Sequence, residues 1–311
     1  MDSRVAVASL GGTITMTGSG AVSPTLGARD LVGGLDVGEI ATLATIPGAS
    51  LTFTTLLEAF DWADEQVSAG ASGVVIIQGT DTLEETAYFF DCLWPHEEPV
   101  VVTGAMRHPG LPGADGPANL AAAVAVAGTS NSRGRGALLV LNDEIHAARW
   151  VRKAHSSLMN AFESFPGPLG LLIEGAPQYF HPAHRSPALP RPLDAPAAPL
   201  IEATVDDDGS ILDWLNVKGV VVAATGVGHV SEGMAEAISR ARFPVVVATR
   251  TGAGTTFRNT YGFTGSESDL IKRGAVMAGW LCPRKARVLL RLALGSEGPI
   301  EDVFATRGGV F

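Results

Sequence analysis

The chain has 311 residues, too many for one small core and enough for two ordinary domains. Hydrophobic residues make up 46% and charged residues only 17%, which excludes a disordered chain and describes one able to bury a large interior. The formal net charge of -10, without clustered Lys and Arg, argues against a nucleic-acid partner, because neutralising phosphates requires concentrated positive charge.

Near the N-terminus, VAVASL (5–10) is too short for the apolar core of a secretory signal and no cleavage signature follows it. It reads as a first strand, and the expected setting is the cytoplasm, with no membrane partner. Similar β-branched runs recur in GVVIIQ (73–78), PVVVTG (99–104), ALLVLN (137–142), GVVVAATG (219–226) and PVVVATR (244–250). None alternates with polar residues, which suits strands covered on both faces. Helical patterns lie between them at 83–94, 119–128 and 232–241. This alternation predicts an α/β protein: a larger N-terminal domain with a mostly parallel sheet flanked by helices, and a smaller C-terminal α/β domain.

The proline-rich stretch HPAHRSPALPRPLDAPAAP (181–199) has no periodicity and reads as a linker. It divides a domain of residues 1–180 from one of residues 200–311. His181 and His184 sit inside that linker with no third ligand nearby and read as surface residues; Asp206, Asp207 and Asp208 before Gly209 read as a solvated turn. Cys92 and Cys282 lie far apart and offer neither a disulfide framework nor a zinc-knuckle spacing. No metal and no cofactor is expected.

In an open α/β sheet, ligands sit at the carboxyl ends of strands. Two loops stand out by that rule: Gly11-Gly12-Thr13 after the first strand, and Gly79-Thr80-Asp81-Thr82 after GVVIIQ. In each, glycine permits close backbone approach and a hydroxyl follows at once. The second loop is expected to open a helix, with Asp81 or Thr82 as N-cap and Glu84 and Glu85 in the first turn. Either loop alone is equally what ends a strand in an ordinary α/β protein. No GxGxxG, GxxxxGK[ST], GxSxG or HExxH pattern accompanies them.

Taken in order, LGGTITM (10–16), QGTDTLEETAYFF (78–90), VVTGAMR (101–107), ADGPANL (114–120) and PRKARVLLRLAL (283–294) resemble the bacterial L-asparaginases of the type I/II (asparaginase-glutaminase) family. The resemblance runs from Val5 to about Leu294. It implies an amidohydrolase that releases ammonia from the side chain of L-asparagine through a covalent acyl-threonine, with Thr13 as nucleophile and Thr80, Asp81 and Lys153 completing the catalytic set. Lys153 is placed by aligning LNDEIHAARWVRKA, with Asn142, Asp143 and Arg149 fixing the register. A neutral threonine hydroxyl is a weak nucleophile and needs a base, and lysine serves as one only when neutral. The resemblance further implies substrate binding by Gly12, Ser50, Gly79, Thr80, Asp81 and Ala105. From a neighbouring copy it adds Ser231 and Glu267, in a dimer of intimate dimers whose only other partner is the small amide.

The chain departs from the family in its lid. The stretch TMTGSGAVSPTLGARD (15–30) is rich in Gly and Ser, hence expected to be mobile, and lacks the Tyr that the family carries there; the tyrosines are Tyr88, Tyr179 and Tyr261. Leu51 replaces the Gln expected after Ser50, and Ser231 stands where the family has Asn. These changes keep open a divergent amidase acting on a modified or blocked asparagine or another small amide. A noncatalytic amino-acid sensor is the third reading, opposed by retention of the whole Thr-Lys relay.

Overall fold

A computed structural model describes residues 4–18 and 22–309. The chain divides into two compact units, Met1–Leu189 and Pro190–Phe311. Residues 181–199 contain neither helix nor strand.

The first unit begins with β1 (Ala6–Gly11), followed by a short antiparallel ribbon of β2 (Met16–Thr17) and β3 (Ser23–Pro24), and α1 (Ala28–Val32). Next come β4 (Ile40–Ile46), α2 (Phe53–Ser68), β5 (Val74–Ile77), α3 (Leu83–Leu93), β6 (Val100–Thr103), α4 (Gly116–Gly128) and β7 (Ala137–Leu141). The unit closes with β8 (Glu144–Ala147), β9 (Val151–Lys153), β10 (Phe162–Ser164), β11 (Gly170–Ile173) and β12 (Ala176–Tyr179).

Eight of these strands form one sheet in the order β12-β11-β8-β7-β6-β5-β1-β4. Every pairing from β4 to β7 is parallel, and those from β7 to β12 are antiparallel. The parallel strands β1, β5, β6 and β7 are buried at every position, as their unbroken Val/Ile/Leu/Ala runs require: helices cover both faces, leaving no face for polar side chains. One face packs Val7, Val75, Ile77, Val101 and Leu138 against Leu120, Ala123 and Val126 of α4. Elsewhere in the unit, Phe53, Phe60, Phe89, Phe90 and Trp94 of α2, α3 and its C-terminal end meet in mostly edge-on ring contacts.

The strand order fixes where a ligand can sit. From β1 the chain crosses to β4 on one side, then returns past β1 to β5 and continues outward to β6 and β7. Connections leaving in opposite directions open a crevice at the carboxyl ends of β1 and β5. Those ends carry the Gly11-Gly12-Thr13 and Gly79-Thr80-Asp81 loops.

The second unit contains β13 (Leu200–Glu202), β14 (Val220–Ala224), α5 (Glu232–Arg240), β15 (Val245–Thr249), α6 (Glu267–Lys272), β16 (Val276–Met277), α7 (Pro283–Leu294) and α8 (Ile300–Gly308). Its four strands are parallel, in the order β13-β14-β15-β16, around a core of Val220, Val222, Val245, Val247, Met234 and Leu270. The Asp206–Gly209 segment is a turn: Asp207 and Asp208 carboxyls each accept a backbone N–H at 2.9 Å, from Gly209 and Ser210.

Backbone approach in the first unit is tightest at Gly12. Its φ of 92° lies in the left-handed half of conformational space, and a Cβ there would lie 2.0 Å from the backbone nitrogen of Gly79. Gly12→Ala is therefore expected to destabilise by more than the about 1–3 kcal/mol that backbone strain alone costs, read as a lower midpoint in thermal or urea unfolding. Gly34→Ala, where a Cβ meets nothing within 4 Å, should stay within about 0.5 kcal/mol of the parent.

Candidate active site

Four glycines bring the strand-end loops together. Gly12 Cα packs against Gly79; Gly79 also lies against Gly48 in the turn after β4; and Gly104, after β6, backs onto Gln78 and Thr80. Side chains of the β5 loop then tie the contact. Thr82 Oγ1 donates to the Gly48 carbonyl at 2.9 Å, and Gln78 Nε2 donates to the Gly79 carbonyl at 3.2 Å. Thr82 occupies the N-cap position of α3, but its side chain makes no capping bond; its hydroxyl donates to Gly48 and accepts from Gln78 Nε2 at 3.4 Å. Asp81 does not cap the helix either; it turns toward Lys153.

Thr13 and Thr80 each follow one of the glycines in that contact, so both threonines leave from the point where the two loops touch. Thr13 is half-buried and opens a 3-10 turn, closed by Thr15, whose N–H and hydroxyl both donate to the Gly12 carbonyl, at 3.0 and 2.7 Å. Thr80 is buried. Lys153, on β9, places Nζ 2.9 Å from Thr80 Oγ1 and 2.9 Å from Asp81 Oδ1. The lysine side chain is 15% exposed and the Asp81 carboxylate 66% exposed, so the triangle is open on its aspartate side and closed around the threonine. Ser50 ends the 3-10 turn that begins at Gly48 and is exposed, whereas Ala105, just past Gly104, is buried.

The loop after β6 is fixed by residues the sequence reading did not single out. Asp115 accepts the N–H groups of Met106 at 2.8 Å and Arg107 at 2.9 Å. Asn119, buried in α4, donates to the Gly104 carbonyl at 3.0 Å and to Asp115 at 2.9 Å, while its Oδ1 accepts the Asn142 N–H at 2.9 Å. This network joins the ends of β6 and β7. Both residues belong to ADGPANL, and for Asn119 a polar side chain on the buried face of a helix was the available signal.

In the second unit, Ser231 and Glu267 have local partners. Ser231 caps α5, accepting the Met234 N–H at 3.0 Å and donating to the Asp207 carbonyl. Glu267 is 0% exposed; Oε1 accepts the N–H groups of Thr260 and Tyr261 at 2.7 Å each, and Oε2 lies 3.1 Å from His229 Nε2. His229, not singled out in the sequence, is flanked edge-on by Tyr261 and Phe263 at ring separations of 4.9 and 5.0 Å. Burial pushes the Glu267 carboxyl up, but the donated hydrogen bonds from Tyr261, Thr260 and His229, with its own backbone N–H, outweigh it and hold the group below its usual range.

Of the lid, the described residues on either side pair through β2 and β3, and Thr17 and Thr25 share a hydroxyl hydrogen bond of 2.6 Å. Ser19, Gly20 and Ala21 lie outside the described residues. Among the described residues no group of three or more His, Cys, Asp or Glu is gathered as metal ligands, and no helix is long and apolar enough to cross a membrane.

Residues 4–185 match the model of the asparaginase N-terminal domain, and residues 199–305 that of the glutaminase/asparaginase C-terminal domain. A probable L-asparaginase of Deinococcus radiodurans is 37% identical over 250 residues, covering 77% of this chain and 76% of that one. An L-asparaginase of Bacillus licheniformis is 32% identical over 98% of this chain and 99% of its own. Among solved structures, a probable cytoplasmic L-asparaginase from Campylobacter jejuni superimposes with a TM-score of 0.87 at 29% identity, covering 98% of this chain and 99% of that one.

Glu267 supplies a test of the second unit's electrostatics. A carboxyl held below its unfolded value adds stability above that unfolded value and loses it as pH falls through the lower folded value. Unfolding free energy should accordingly decline as pH drops below about 5. Glu267→Gln should be less stable at neutral pH and should flatten this acid limb in urea titrations at several pH values. Equal acid slopes in the two proteins would contradict the assignment.

Proposed function

The chain belongs to the asparaginase family and is an L-asparaginase-type amidohydrolase; we propose that it hydrolyses the side-chain amide of L-asparagine to L-aspartate and ammonia through a covalent acyl-Thr13 intermediate. The observation that carries the mechanism is the triangle of Lys153 Nζ with Thr80 Oγ1 and Asp81 Oδ1, built beside the Gly12–Gly79 contact from which Thr13 departs.

In this reading neutral Lys153 accepts a proton relayed through Thr80 from the Thr13 hydroxyl, and the Thr13 oxygen attacks the amide carbon. Backbone N–H groups of the glycine-flanked turns stabilise the oxyanion. The C–N bond breaks with return of the proton to the leaving nitrogen, ammonia departs, and water releases aspartate from Thr13. Asp81 holds the substrate ammonium and Ser50 its α-carboxylate, with Gly12, Gly79, Thr80 and Ala105 lining the pocket. The chain assembles as a dimer of intimate dimers in which the loops bearing Ser231 and Glu267 reach a neighbour's site. The cytoplasm is the proposed compartment, supported by the likeness to the probable cytoplasmic L-asparaginase from Campylobacter jejuni.

A second reading rests on the Tyr-free lid and on Leu51: a substrate whose amino or carboxyl group is modified, which would not need the usual contacts. Ammonia release from asparagine, glutamine and N-blocked asparagine separates the two, with preference for the blocked compound favouring the second. Thr13→Ala is expected to lower turnover by about 10³-fold or more without unfolding, and mass spectrometry of the parent enzyme should find the acyl adduct on the Thr13 peptide. An adduct on Thr80 would overturn the assignment. A fully active monomer in light scattering at assay concentration would end the shared-site proposal.

A further inference from the structure

Glu84 lies in the first turn of α3, with 2% of its surface exposed. An acid in a helical first turn ordinarily serves the helix dipole from a solvated position. Glu84 instead faces inward, and its Oε2 accepts the backbone N–H of Lys153, a residue 69 positions away. The segment from Thr80 to Glu84 thus grips one lysine at both ends. Thr80 and Asp81 take Nζ at 2.9 Å each, and Glu84 takes the backbone nitrogen.

That second grip matters because of where β9 sits. Among the described residues it pairs with β10 in a separate two-stranded sheet, outside the eight-stranded sheet that carries Thr80. Among the described residues no ladder of backbone hydrogen bonds sets Lys153 in register with β5. Two side chains reach the small sheet from other elements: Ser164 of β10 meets buried His146 of β8 at 2.9 Å, and Glu84 of α3 meets β9 at Lys153 itself. A lysine stem is long and flexible, so Nζ can reach Thr80 from many backbone positions. Fixing the backbone end removes most of that freedom.

We propose that Glu84 is a positioning residue for the relay: its carboxyl holds the Lys153 backbone so that Nζ stays in line with Thr80 and Asp81. The proposal rests on the reading of Lys153 as the base. A displacement of about 1 Å at a reacting group can cost about 10²-fold in rate, so the effect belongs in kcat rather than in substrate binding.

The test is a double-mutant cycle on the full-length enzyme, reading ammonia release from L-asparagine, with circular dichroism confirming the fold. Glu84→Ala should lower kcat by about 10- to 100-fold and leave KM within about threefold. Glu84→Gln, which keeps an acceptor oxygen for the Lys153 N–H, should remain within about threefold of the parent in kcat. In the Lys153→Ala background, Glu84→Ala should cost less than about twofold more, because a residue that acts through Lys153 has nothing left to position. If Glu84→Ala does not fold, Glu84→Met fills the volume without an acceptor and takes its place. The same fold loss from Glu84→Ala in both backgrounds, or Gln behaving like Ala, overturns the proposal. Parent-like turnover by Lys153→Ala alone would instead overturn the reading of Lys153 as base, and with it the reason for a positioning residue.

Discussion

The first unit is organised around the contact of Lys153 with Thr80 and Asp81, both at 2.9 Å. As an ion pair this contact stabilises little: the Asp81 side is open to water, and such pairs contribute about 0–1 kcal/mol. It cannot hold β9 in place by itself. The scaffold has to deliver the lysine and both partners independently, and three features do so. They are the strand order that opens a crevice between β1 and β5, the glycines that let the loops touch, and the buried Glu84 that fixes the lysine backbone.

The glycines carry a packing requirement. Gly12, Gly48, Gly79 and Gly104 come from the ends of four neighbouring strands, and each lies where an added Cβ would come within about 3 Å of another loop's backbone. Close backbone apposition brings adjacent N–H groups and hydroxyls within reach of one small ligand, at the cost of backbone entropy that glycine gives up on folding. Thr82 serves the same contact: its hydroxyl donates to the Gly48 carbonyl, and the helix that follows it has no side-chain cap. Asp115 and Asn119 extend the arrangement to the ends of β6 and β7.

Strands β1, β5, β6 and β7 of the parallel half were legible because they are covered on both faces, which leaves continuous apolar runs with no competing pattern; the edge strand β4, part-exposed along its length, carries no such run and was not read. The antiparallel half was not. Its strands β8, β11 and β12, like the separate pair β9 and β10, are short and mixed in burial, and the turns that define them went unread. Asn142 and Asp143, at φ 51° and 61°, form the two-residue turn between β7 and β8, as Glu174 and Gly175, at 52° and 76°, do between β11 and β12. An Asn-Asp pair between apolar runs is a hairpin signal by its tolerance of left-handed backbone, and it served only to set the alignment of Lys153. Thr13 and Thr80 could be nominated locally, as hydroxyls after glycine turns at strand ends. Lys153 could not, because a three-residue strand outside the main sheet has no local signature. Glu84 looked like an ordinary first-turn acid, since its partner is distant in sequence. The loops bearing Ser231 and Glu267 were identified by position alone, which does not reveal that a cap and a buried carboxyl already occupy both side chains.

The measurement that bears most directly on the account is the turnover of Lys153→Arg. Arginine preserves the positive charge and can reach both Thr80 and Asp81, but it has no neutral form with which to accept a proton. If Lys153 is the base, ammonia release from asparagine should fall by about 10²- to 10⁴-fold while calorimetric binding of aspartate is retained. Turnover within a fewfold of the parent would mean that only the charge at this position is needed, and would contradict the relay.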